Sequence, residues 1–131
     1  MNRKLHISLW IAQVLLALSF AASGLMKIAT PIDKLAKMLP WTAELPTLTR
    51  FIGIAEVLGA VGLILPAATR IKPGLTALAA AGLTTVLVLA VFFHASRGEL
   101  AHTPPAVVLG AIAAFIAWGR WKKAPISPRA E

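Results

Sequence analysis

TRFIGIAEVLGAVGLILP, Thr49 to Pro66, reads as a membrane-spanning helix that carries one acidic residue, Glu56, well inside it. An α-helix rises about 1.5 Å per residue, so a hydrocarbon core of about 30 Å takes roughly 20 residues. Three further runs reach or approach that length: Ile7 to Ile28, Leu75 to Ala95, and Thr103 to Trp121. The last has Pro104 and Pro105 in its first turn, where a missing N–H costs little. The expectation is an all-α protein: an integral membrane four-helix bundle with short loops, forming a single membrane domain over 1–131. The spans fall at about 7–28, 47–66, 74–95 and 104–121.

Composition points the same way. Of 131 residues, 58% are hydrophobic and 14% charged, against about 25% charged in ordinary globular domains. There is no cysteine, which excludes disulfides, iron–sulfur clusters, thiol redox chemistry and zinc–thiolate sites. The net charge of +8 is not a nucleic-acid footprint, because the basic residues flank the spans instead of forming a stripe. The opening MNRKLH, the apolar run and SFAAS imitate a secretory signal. That run continues through Gly24, Leu25 and Met26 to Lys27, longer than the usual h-region, so the segment reads as a retained first span.

Four spans place both termini and the middle loop on one side. That side carries Arg3, Lys4, Arg70, Lys72, Arg120, Lys122, Lys123 and Arg129. The other carries Lys27, Lys34, Lys37, Arg50 and Arg97. The excess of basic residues marks the cytoplasmic face, so both termini are expected inside a bacterial-type cytoplasmic (inner) membrane. Trp10, Trp118 and Trp121 suit the inner aromatic belt and Trp41 the outer interface. In the one long loop, IDKLAKML spaces Ile32, Leu35, Met38 and Leu39 helically, as an interfacial helix would. It reads either as a lid or as a plain connector with snorkelling lysines.

At 100° per residue, Ile54, Leu58, Val61 and Leu65 lie on one half of the second span. Gly53, Gly59 and Gly62 lie on the other with Glu56. Small residues let helices approach closely, so that half faces protein and takes Glu56 with it. Ser23 and Lys27 on the first span share a stripe with Gln13 and Gly24, and His94 ends a stripe on the third. Arg50 is turned about 120° from Glu56 and reads as a snorkelling residue. Glu56 should sit about 13 Å deep, and the depth of Lys27 leaves open whether the two touch. The ionisable groups gather in the outer half, while the inner half has almost none. Lys27, Glu56, His94 and Glu99 are the candidate ligand-binding residues. Gly53, Gly59, Gly62 and Gly110 are the candidate helix-packing positions. No metal-ligand set is present, and His6, His94 and His102 do not offer haem ligands at matching depth.

SGLMK at Ser23 to Lys27, RFIGIAEVLGAVGLILP at Arg50 to Pro66, His94 followed by Glu99, and WGR at Trp118 to Arg120 together resemble the DoxX-like family of small four-helix membrane proteins. The similarity runs from about Ile7 to Arg120. It implies a four-helix bundle and redox work near quinone, since DoxX and DoxD relatives are associated with thiosulfate oxidation to quinone. Three functions compete. One is a binding or accessory subunit for a membrane redox system, holding a lipophilic head group such as a quinone, with electrons supplied by a partner protein. Another is a chaperone or assembly subunit docking client helices on Gly59, Gly62, Gly110 and Ala114. The third is a small proton-coupled transporter, working as a homo-oligomer, with Glu56 as carrier.

Overall fold

In the computed structural model, which describes residues 2–130, four helices are long and apolar enough to cross a membrane, and no strand occurs among the described residues. The order is α1 (Arg3–Ala29), α2 (Ile32–Met38), α3 (Trp41–Glu44), α4 (Pro46–Thr69), α5 (Gly74–Ser96) and α6 (Thr103–Trp118). A 3-10 turn, Leu100–His102, leads into α6, and a π-helical turn, Gly119–Lys123, extends it. The ends have local causes. Asn2 accepts a hydrogen bond from the Leu5 N–H at the start of α1. Pro31 holds Thr30 extended and stops α1. Pro46 opens α4, whose fixed φ suits a first helical position. Arg70, in the left-handed region at φ 58°, ends it.

α1 packs along α4, α4 along α5 and α5 along α6, with a lighter contact between α6 and α1. α1 and α4 come into backbone contact. A Cβ at Gly24 would lie 2.7 Å from the Gly53 carbonyl oxygen, and one at Gly53 would lie 2.9 Å from the Gly24 oxygen. Only glycine at both positions lets the backbones touch. The core gathers Leu16, Phe20, Leu63, Leu83, Ala113 and Ile116. Ile54, Leu58, Val61 and Leu65 are exposed, which is the orientation a lipid solvent selects.

Pro66 sits inside α4. Lacking an N–H, it leaves the Gly62 carbonyl without its intrahelical donor. The Thr76 hydroxyl of α5 donates to that oxygen at 3.1 Å. One residue on, Gln13 of α1 donates to the Leu63 carbonyl at 2.7 Å. The proline is therefore braced from both neighbouring helices.

The connector between α1 and α4 is more than a surface helix. Asp33, Lys34, Lys37 and Met38 are exposed, but Leu35 is fully buried, and Trp41 and Thr42 are buried beside it. α2 and α3 thus fold back over one end of the bundle, here termed the lid end. The start of α1, the α4–α5 turn and the tail after α6 form the opposite, terminal end. There Arg70 donates to the carbonyls of Ser127 and Pro128, tying the tail to the turn.

Candidate functional site

Lys27 stands level with Gly53, whose added Cβ would lie 2.9 Å from the Lys27 Cβ. Glu56 is three residues further into α4, about 4.5 Å deeper. A lysine side chain spans that step. Lys27 Nζ reaches Glu56 Oε1 at 2.6 Å and donates to Ser23 Oγ at 2.9 Å. The carboxylate is buried and the ammonium mostly so. Depth along the helix axes alone leaves this contact open, because the length of the lysine side chain decides it.

Arg50 takes a role other than the expected snorkelling one. One guanidinium nitrogen donates to the carbonyls of Lys27, Ile28 and Thr30 at 2.8, 3.2 and 2.7 Å. These are orphan carbonyls at the C-terminus of α1, where a cation also meets the negative end of the helix dipole. Arg50 therefore fixes the backbone that carries Lys27.

The pair closes one side of a cavity of about 400 Å³ between α1, α4, α5 and α3. Phe20, Leu48, Ile52, Leu87, Ala90 and Phe93 supply most of the apolar wall. Lys27, Glu56, His94 and Trp41 supply the polar atoms. Phe51 and Leu89 also line it and are themselves exposed on the lipid side, so the cavity has a flank toward the bilayer between α4 and α5. Trp41 is 6% exposed and meets Phe93 and His94 edge-on, with ring centroids at 5.7 and 6.4 Å. Its ring is turned into the bundle and forms cavity wall.

Behind His94 stands the fourth candidate. Glu99 does not line the cavity. Its Oε1 lies 2.9 Å from His94 Nδ1, which leaves Nε2 as the ring nitrogen without that carboxylate. His102 stacks on His94 at 5.0 Å. Glu99 also accepts from Arg97 Nε at 3.3 Å, and Arg97 pairs with Glu44 of α3 at 2.6 Å. The His94 hydrogen bond, and secondarily the Arg97 charge, hold the Glu99 carboxyl below its usual value. The Glu44 hydrogen bond raises Arg97 above its own.

The packing glycines divide. Gly53 lies against Gly24 and Lys27, Gly59 against Leu83, and Gly62 against Ala79. Gly110 is looser, with its nearest contact, the Leu87 Cβ, at 3.5 Å. It borders a shallow apolar groove between α5 and α6 with Val107 and Ala114.

The expectation that the other half holds almost no ionisable group is corrected. Arg120 is 5% exposed near the terminal end. Its Nε donates to Gln13 Oε1 at 2.6 Å, and a terminal nitrogen reaches His6 Nδ1 and the Ala124 carbonyl, each at 2.9 Å. Its guanidinium also lies over the Trp10 ring at 5.8 Å. No acidic side chain is among its hydrogen-bond partners. The signal available in the sequence is Gln13, an amide in mid-span that needs partners; Arg120 by its position alone reads as an interfacial base. Among the described residues no group of three or more His, Cys, Asp or Glu side chains could hold a metal ion.

Fold and site define a small multi-pass helical membrane protein with an apolar cavity bordered by a buried ion pair. The model of the DoxX-like family matches residues 11–116, and the chain belongs to that family. No curated protein and no solved structure matches it.

Proposed function

We propose that the cavity binds a lipophilic, ring-bearing molecule with carbonyl acceptors, of the quinone type, and that the protein is a binding or accessory subunit of a membrane redox system. The observation that carries this reading is the pairing of a largely apolar, aromatic cavity flanking the bilayer with the Lys27–Glu56 pair in its wall. Few polar groups in a mostly apolar pocket are what orient a lipophilic ligand. A quinone supplies electron transfer when bound; the residues here supply its seat. Two of the three Lys27 protons are used by Glu56 and Ser23, so a third remains to donate to a carbonyl oxygen. His94, oriented through Nδ1 by Glu99, presents its other nitrogen for a second hydrogen bond. Phe51, Phe93 and Trp41 offer faces and edges to a ring. Electrons come from a partner protein.

In this reading the lid end lies outside a bacterial-type cytoplasmic membrane and both termini inside, which the excess of basic residues at the terminal end supports. The client-docking reading has less support, because Gly59 and Gly62 are taken up by Leu83 and Ala79 of the same bundle.

A short-chain benzoquinone titrated into protein in detergent, read by tryptophan fluorescence, tests the binding. Saturable quenching is expected, reduced in Trp41→Phe and about tenfold weaker in Lys27→Met, the loss of one charge-assisted hydrogen bond. Linear, unsaturable quenching that neither substitution alters would overturn it.

A further inference from the structure

We infer that α3 is a lid on the same cavity, latched by Arg97, so that the bound molecule is reached from lipid continuously but from water only when Glu44 and Arg97 part. The inference rests on the binding proposed above for its ligand, though not for the motion itself. Trp41 opens α3 and forms cavity wall, while Glu44 closes the same single turn and holds Arg97 at 2.6 Å. One turn of helix therefore carries both the plug and the fastening. Non-helical residues flank it, Leu39 on one side and Leu45 on the other, so the turn can move without breaking α2 or α4.

The fastening is of a kind suited to opening. Glu44 is 60% exposed and Arg97 31% exposed at the side chain, and exposed ion pairs hold weakly. Segments that move are drawn from the weakly held end of a structure. The Lys27–Glu56 pair, by contrast, is enclosed, and Arg50 fixes the backbone that carries Lys27. The latch also reaches the ligand's seat, because Arg97 bonds Glu99, and Glu99 holds His94. Gly98, at φ +72°, makes the turn that sets Arg97 and Glu99 side by side, a conformation that favours glycine. Loosening Glu44 thus acts on the cavity's imidazole as well as on its cover. The lipid flank at Phe51 and Leu89 lies on α4 and α5 and does not involve α3.

Acrylamide, a neutral quencher dissolved in water, reads the motion without ligand, taking the Trp41 signal as the part lost in Trp41→Phe. Glu44→Gln and Arg97→Gln should each raise Trp41 quenching about two- to fivefold, the range an exposed ion pair allows. The two together should do no more than the larger single effect. Quenching unchanged in Glu44→Gln, or effects of the two that multiply, would overturn the latch. Glu44 is exposed, so that variant decides the matter even if Arg97→Gln misfolds. With benzoquinone bound, Glu44→Gln should speed its transfer to a cyclodextrin in the water while leaving transfer to phosphatidylcholine vesicles unchanged. Equal acceleration of both would remove the lid's part in access. If benzoquinone does not bind at all, the binding proposal fails and the acrylamide result still decides the lid.

Discussion

Glu56 and Lys27 show how a membrane span accommodates two charges. Neither could be held alone at that depth without a large cost, but together they form a short ion pair, and Ser23 takes another ammonium proton. Removing one partner of a buried pair is more damaging than removing both. Lys27→Met should therefore lower stability by about 3 kcal/mol, while Lys27→Met with Glu56→Leu should recover most of the loss. Thermal unfolding in detergent, run as a double-mutant cycle, measures both. A double variant no better than the single would mean that the loss does not come from a stranded Glu56 carboxylate. The inward direction of Glu56 was legible from its angular position among Gly53, Gly59 and Gly62. The contact itself was not, because it depends on the glycine-on-glycine approach that brings α1 level with α4. Arg50 misled for a related reason. Its angle excluded Glu56 correctly, but angle alone cannot reveal three orphan carbonyls on another helix.

At the scale of the elements, the four spans were legible because length and hydropathy alone decide them. What could not be read were the clamps between them. Pro66 announces a freed carbonyl, yet nothing in the sequence says that Thr76 and Gln13 supply donors at that level from different helices. Arg120 was hidden similarly, since an arginine at a span's end ordinarily extends to water and here the π-helical turn keeps it buried. The connector's pattern predicted a helix but not that Trp41 would turn into the bundle. The glycines give a graded test of the packing. Gly24→Ala forces a Cβ to 2.7 Å from a backbone oxygen, which cannot swing aside, so it should cost about 1–3 kcal/mol. Gly110→Ala meets its nearest atom at an ordinary 3.5 Å and should be near neutral or slightly favourable, given alanine's better helix propensity. Melting temperatures of the two variants separate the cases. Equal losses would show that both positions fail for a reason other than α1–α4 contact.

Across the whole molecule the charges are sorted by end. Among the described residues every acid, Asp33, Glu44, Glu56 and Glu99, lies toward the lid end, whereas the terminal end carries only bases. Acid sensitivity should therefore begin at the lid. Glu99 is the group to follow: it faces His94, itself stacked on His102, and Arg97, which bridges it to Glu44. Its carboxyl is held below the ordinary value of 4.5, first by the His94 hydrogen bond. At acidic pH the unfolded chain then binds the proton more readily than the folded one, so the stabilisation is complete above the ordinary value. It disappears as pH falls through the depressed folded value. Acrylamide quenching of Trp41 should accordingly stay flat from neutrality to about pH 5, then rise below about pH 4. Glu99→Gln removes this titrating group and should flatten that limb. A residual acid rise in Glu99→Gln that Glu44→Gln abolishes would assign the sensitivity to the other carboxylate of the latch. A curve that instead turns between pH 6 and 7 would put it on an imidazole and remove Glu99 as its source.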